Sequence, residues 1–160
     1  MIPANHSDQA RIVHIDDEPR TGLVLGSLLR HENYDFINFS NSENALRFLS
    51  DPRERVDLII SDVRQCPVDG IQFYRQSLQI RPHQVLIYLS SRGSPEIVQT
   101  AFELGAYEFV HKPFNDEAFL KIVDRALNAS RSAVVEYEAL PQLRLGRIGG
   151  RPHGQIGDRP

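Results

Sequence analysis

Cysteine is nearly absent from this sequence: Cys66 is the single one, so no internal disulfide can form, and it belongs to no metal-ligand spacing. That economy fits a reducing compartment. Long apolar runs are also missing. No stretch approaches the roughly 18 uninterrupted apolar residues of a membrane span, and Met1 to Arg11 carries no apolar segment of the kind that marks a secretion signal. A soluble, unexported, cytoplasmic protein is the expectation. Blocks of one charge are lacking too: the net charge of -3 comes from mixed charges along the body, so nothing demands nucleic acid or a membrane surface as partner. What remains is a chain of 160 residues, 41% apolar, long enough for one domain with a real core and too short for two.

Short apolar runs recur along it: Ile12 to Ile15, Tyr34 to Phe39, Leu58 to Ile60, Val85 to Leu89 and Tyr107 to Val110. These read as five strands. The first, third and fourth are nearly continuous in Ile, Val and Leu, as expected of central strands covered by helices on both faces. Helix signals fill the gaps. Pro19 suits a first turn ahead of Leu23, Val24, Leu28 and Leu29. Asp69-Gly70-Ile71-Gln72 resembles a capping box before Phe73, Tyr74 and Leu78. Ser94-Pro95-Glu96 opens a further helix that Gly105 closes. Asn115, followed by Asp116 and Glu117, caps a last one with an apolar face of Phe119, Leu120, Val123 and Leu127. Strict alternation with short connections predicts an open α/β sheet with right-handed crossovers.

Ala133, Val134, Tyr137 and Leu140 extend the last helical pattern until Pro141, too briefly for a coiled coil. From Arg144 onward glycine, arginine and proline alternate without an apolar period, which predicts a disordered, solvated tail, with contact of its arginines to nucleic acid as the less favoured alternative and no direct nucleic-acid binding by the domain itself.

In an open α/β sheet, ligands bind beyond the carboxyl ends of the strands. Strand one ends in Asp16-Asp17-Glu18, strand three in Ser61-Asp62, strand four in Ser90-Ser91 and strand five in His111-Lys112-Pro113. Carboxylates brought together there repel one another unless a cation sits among them. The candidate ligands are hard oxygens, which suit Mg²⁺ or Mn²⁺ better than zinc. His14 and His111 are read as ordinary strand side chains, since oxygen ligands suffice. Lys112 offers a fixed positive charge, and Ser90 a hydrogen-bond donor, for a phosphoryl group carried by Asp62. Phosphoryl transfer needs little beyond positioning and charge neutralisation, and a carboxylate is a competent nucleophile for it.

The acidic pair Asp16-Asp17, then Asp62, Ser90 and Lys112-Pro113-Phe114, resemble in order and spacing the receiver domain of two-component response regulators, over about residues 11 to 130. The resemblance implies a doubly wound (βα)5 flavodoxin-like fold with a five-stranded parallel sheet in the order 2-1-3-4-5. It also implies that Asp62 is the phosphoacceptor. Asp16, Asp17, Asp62 and the backbone carbonyl of Arg64 would bind Mg²⁺, with Mn²⁺ as substitute, and Ser90 and Lys112 would contact the phosphoryl group. Ser90 and Phe109 fall at the family's switch positions. The implied partners are a histidine kinase or phosphotransfer protein, a second copy through the face of helix four, strand five and helix five, and an output domain or partner protein. On this reading residues 1–10 are a disordered N-terminus and 131–160 a linker helix and tail, and the only chemistry catalysed is the domain's own phosphorylation and dephosphorylation.

The sequence departs from the family after the phosphoacceptor, where Gln65-Cys66-Pro67 replaces the usual Met-Pro-Gly, and at Ser90, which replaces the commoner Thr. Other readings fare worse. A phosphatase of the haloacid-dehalogenase type needs a general acid two positions after its nucleophile, where this chain has Arg64. A flavin-binding relative of the fold needs a first loop rich in Ser, Thr and Gly, and Asp16-Asp17-Glu18 would repel its phosphate. A receiver that works as an interaction module without phosphorylation is the nearest rival, and the complete acidic, hydroxyl and lysine set argues against it.

Overall fold

The computed structural model describes residues 9–64 and 69–138, so Cys66 with its neighbours, the start of the chain and the expected tail lie outside the described residues. Five strands, β1 (Arg11–Ile15), β2 (Asp35–Phe39), β3 (Leu58–Ser61), β4 (Leu86–Ser90) and β5 (Glu108–His111), alternate with five helices. The helices are α1 (Pro19–His31), α2 (Ser42–Leu49), α3 (Gly70–Ile80), α4 (Pro95–Glu103) and α5 (Asp116–Glu138). All strand pairs are parallel, in the order β2-β1-β3-β4-β5, as the resemblance implies. Among the described residues no helix is long and apolar enough to cross a membrane.

Because successive strand side chains point to opposite faces, each strand feeds two cores. Ile12, Leu58, Ile60, Ile87, Leu89 and Val110 pack with Leu25 and Leu29 of α1 and Phe119, Val123 and Leu127 of α5. Val13, Ile15, Ile59, Leu86, Tyr88 and Phe109 pack on the other face with Ala45 and Leu49 of α2, Phe73 and Tyr74 of α3 and Ala101 of α4. Burial of this kind is what stabilises a parallel sheet, whose central strands are covered on both faces.

The helix starts follow the caps expected of them. Asp69 accepts from the Gln72 N–H at 2.8 Å, Ser94 from Ile97 at 3.4 Å and Asn115 from Ala118 at 2.9 Å. Gly105 ends the α4 region at φ +97°, a conformation that favours glycine. Two points differ from the sequence reading. No cap or apolar face for α2 stands out in the sequence, although Asn41 accepts from both Glu43 and Asn44 N–H groups and starts it well. On α1 the buried stripe is Gly22, Leu25, Gly26 and Leu29, while Leu23 and Val24 are exposed. The glycines decide this: a Cβ on Gly26 would lie 3.1 Å from the Phe36 ring, so this face approaches β2 closely.

Gly70 makes the tightest approach. A Cβ there would sit 2.2 Å from the Asp62 carbonyl oxygen and 2.8 Å from Val63 Cα, both backbone atoms. Its N–H donates to the Val63 carbonyl at 2.7 Å, and its own carbonyl accepts the buried Tyr88 hydroxyl at 2.9 Å. The start of α3 is thereby pressed under the end of β3. On the other side Tyr34 donates its hydroxyl to Asp124 of α5, and burial together with that bond pushes its pKa up to about 12.

Two outcomes follow from this packing. Gly70→Ala should lower the unfolding free energy by about 2–3 kcal/mol through backbone overpacking, read as a shifted denaturant midpoint; a loss within about 0.5 kcal/mol, typical of a surface change, contradicts the close approach. Tyr34→Phe should cost no more than about 1 kcal/mol near neutral pH, since the bond is largely solvated. Tyrosine is an acid with a raised folded pKa, so its contribution is complete below about pH 10 and fades as pH rises toward about 12. The stability gap between parent and Tyr34→Phe should therefore close over that window; a constant gap contradicts it.

Candidate functional site

The strand register brings four strand ends to one level. Ile15 pairs with Ser61 and Phe39, Ser61 with Tyr88, and Ser90 with His111. The ladder continues one residue further into the site. The Asp16 N–H donates to the Phe39 carbonyl at 3.1 Å, that of Asp62 to Ile15 at 3.0 Å, and that of Lys112 to Ser90 at 2.9 Å. Each functional residue thus has a backbone fixed by the sheet while its side chain is free of it. Lys112 is joined to Pro113 by a cis peptide bond.

Asp16 and Asp62 are both buried, at 2% and 8% exposure, and each has divided its oxygens in the same way. Oδ1 of Asp16 accepts the Glu18 N–H at 2.8 Å, and Oδ1 of Asp62 accepts the Arg64 N–H at 2.7 Å. The two Oδ2 atoms share one cation: Lys112 Nζ donates to Asp16 at 2.9 Å and to Asp62 at 3.0 Å, with Thr21 Oγ1 at 3.4 Å. Burial alone would push the ammonium's pKa down. The hydrogen bonds and charges of Asp16 and Asp62 outweigh it and leave the pKa raised, so Lys112 is a permanent cation here.

Ser90, 1% exposed, places Oγ 3.3 Å from Asp62 Oδ1 and 3.1 Å from the Arg92 carbonyl. One hydroxyl proton cannot serve both acceptors at once. The Arg92 N–H in turn donates to Ser90 Oγ at 3.2 Å. The result is a hydroxyl held at the mouth of the site with two alternative acceptors.

Asp16, Asp17, Glu18, Asp62, Arg64, Ser90, Ser91 and Arg92 line a cleft of about 270 Å³. Asp17 is exposed at its rim. Arg64 meets Asp62 through its N–H, a contact distinct from the carbonyl role implied for it. Phe109 lies elsewhere, on the α4 side of β5. It is 7% exposed, with its ring 5.9 Å from Tyr88 and 5.1 Å from His111, and a Cβ on Gly93 would come within 2.7 Å of Phe109 Cζ. Its ring is thus already inside in this state. The sequence reading missed the buried tyrosine pair beneath it: Tyr88 sits edge-on to Tyr74 at 6.1 Å, and an aromatic in the middle of an otherwise aliphatic strand was the available signal.

The donor set fits a hard divalent cation. Asp16, Asp17 and Asp62 offer only oxygens at an open cleft, although among the described residues no group of three His, Cys, Asp or Glu is gathered so as to hold a metal ion. Mg²⁺ keeps several waters and uses few carboxylates, so a closed cage is not what it needs.

The model of the response regulator receiver domain matches residues 12–124. The transcriptional regulatory protein GlrR of Escherichia coli is 32% identical over 127 residues, which cover 79% of this chain and 28% of GlrR. The nitrogen assimilation regulatory protein NtrX of Azorhizobium caulinodans is 28% identical over 148 residues, covering 91% of this chain and 31% of NtrX. The chain therefore spans under a third of the length of these curated relatives. Among solved structures, a receiver domain from Clostridium thermocellum superposes with a TM-score of 0.71 at 25% identity, covering 76% of this chain and 97% of that one. The BeF3-activated receiver domain of DrrB, a Thermotoga maritima protein, does so with a TM-score of 0.67 at 27% identity, covering 75% and 98%. By its fold and by the family match across most of its length, this chain belongs to the response regulator receiver domains of two-component systems.

Proposed function

We propose that Asp62 is the phosphoacceptor of this receiver domain, taking its phosphoryl group from a histidine kinase or phosphotransfer protein. The observation that carries this reading is the bridging of Asp16 Oδ2 and Asp62 Oδ2 by Lys112 Nζ, with the Ser90 hydroxyl 3.3 Å from the other Asp62 oxygen. A buried carboxylate is thereby set beside a cation and a hydroxyl that suit phosphoryl oxygens.

A carboxylate oxygen of Asp62 attacks phosphorus as the bond to the kinase imidazole breaks and the imidazole departs with its electron pair. The Arg64 N–H orients the nucleophile by holding Asp62 Oδ1. Lys112 then turns to the phosphoryl oxygens, and Ser90 exchanges the Arg92 carbonyl for one of them. Asp16, Asp17, Asp62 and the Arg64 carbonyl would hold Mg²⁺, or Mn²⁺ in its place, which when bound neutralises charge on the transferring group. No free substrate is turned over, so the domain acts as a switch. That the DrrB receiver domain is described as activated by BeF3, a phosphoryl mimic, supports a common mode of activation.

Movement of Ser90 is passed to the β4–α4 loop, where Gly93 touches Phe109. Phe109, Tyr107 and Phe102 belong to the face of α4, β5 and α5, and the last two are partly exposed, at 36% and 46%. On this reading that face pairs with a second copy or meets an output domain or partner protein, in the cytoplasm. The curated relatives are named as regulatory proteins, and a downstream output would be supplied in the same way.

Incubation with acetyl phosphate and Mg²⁺, followed by intact mass, tests the proposal. The parent should gain one phosphoryl group and Asp62→Asn none. A folded parent that gains none points instead to an interaction module that works without phosphorylation.

A further inference from the structure

β4 carries one aromatic in an otherwise aliphatic strand. Tyr88 is fully buried, and in the sheet it lies between Ser61 of β3 and Phe109 of β5. A buried tyrosine hydroxyl usually finds a partner. Here it donates at 2.9 Å to the carbonyl of Gly70, the first residue of α3. A carbonyl in the first turn of a helix already accepts from the N–H four residues on. The phenol is therefore a second donor, one that the helix itself does not need.

What the bond holds is the base of the loop that follows Asp62. The Gly70 N–H donates to the Val63 carbonyl at 2.7 Å and closes that loop. The Asp62 carbonyl is engaged twice: it accepts the buried Ser61 hydroxyl at 3.0 Å, and a Cβ on Gly70 would come within 2.2 Å of it. One residue beyond this base, the Arg64 N–H holds Asp62 Oδ1 at 2.7 Å. The orientation of the acceptor carboxylate thus depends on a peptide group whose place is set where Gly70 meets β3. The phenol is well aimed for holding that junction. Tyr74, from α3 itself, sits edge-on to its ring at 6.1 Å, and Phe109 packs on it from β5 at 5.9 Å. Burial pushes its pKa up, so it stays a neutral donor.

We propose that Tyr88 is a positioning residue for phosphoryl transfer. Its hydroxyl, acting through Gly70, holds the base of the Arg64 loop, so that Asp62 and the Arg64 peptide stand ordered before a phosphoryl group arrives. An acceptor that is already ordered loses less freedom on binding and so binds the group more tightly. The inference rests on Asp62 as phosphoacceptor.

Tyr88→Phe in the full chain removes the hydroxyl, keeps the ring and strands no donor, so the core stays filled. Amide hydrogen exchange in the metal-free protein should quicken about fivefold at Gly70 and Arg64 relative to Ile59 in the middle of β3, the effect of losing one neutral hydrogen bond. At saturating Mg²⁺, beryllofluoride should bind about fivefold more weakly. Tyr34→Phe loses a hydroxyl on the α5 side of the sheet and should leave both quantities at the parent's values. A Tyr88 that served only to stabilise the core would behave in the same way. A folded Tyr88→Phe that matches the parent in either measurement therefore overturns the role of Tyr88 alone. A parent that binds no beryllofluoride overturns the phosphoacceptor reading and this inference with it.

Discussion

Two carboxylates buried side by side at the end of a parallel sheet are tolerable only because one ammonium lies between them. Lys112 Nζ sits 2.9 and 3.0 Å from the two Oδ2 atoms. Without it, two buried anions would face each other with no counter-charge between them. Ion pairs this enclosed are a poor source of stability, because desolvation offsets much of the attraction. The arrangement makes better sense as a site held ready than as a brace for the fold. Its cost is met by the two apolar cores on either face of the sheet, neither of which includes Lys112, Asp16 or Asp62.

The same sheet makes the site specific. Parallel pairing aligns the carboxyl ends of β1, β3, β4 and β5, and the backbone bonds of Asp16, Asp62 and Lys112 extend the ladder into the cleft. Gly70 lets α3 press against the Asp62 carbonyl, and Tyr88 locks that contact from β4. The side chains that must respond are therefore mounted on backbone that cannot. Ser90, with one proton and two acceptors, is where the mounting permits a choice.

Most of this was legible in the sequence. Apolar runs located every strand to within a residue or so, because a buried parallel strand has no polar face to blur its ends. Convergence of Asp16, Asp62, Ser90 and Lys112 followed from the rule that strand ends meet, and the resemblance to receiver domains supplied the strand order. Exposure was harder to read. Leu23 and Val24 fit an apolar helix pattern but face out, because the glycines of α1 set which side approaches β2. Asp17 and Arg64 have side-chain and backbone orientations that spacing alone does not fix. His14 was visible only as a strand residue. Its environment depends on the β1–β2 register, which pairs it with Asn38, and on the missing side chain of Gly22, and neither is a local property of the sequence.

The central claim is that one carboxylate, Asp62, carries the phosphoryl group. Reduction of the acetyl-phosphate-treated chain with borohydride converts an acyl phosphate to the corresponding alcohol, marking the acceptor aspartate as homoserine, and peptide fragmentation locates the mark. Homoserine at position 62 and at no other aspartate is the predicted result. Homoserine at Asp16 or Asp17, or a phosphate that survives the reduction on another side chain, would contradict it.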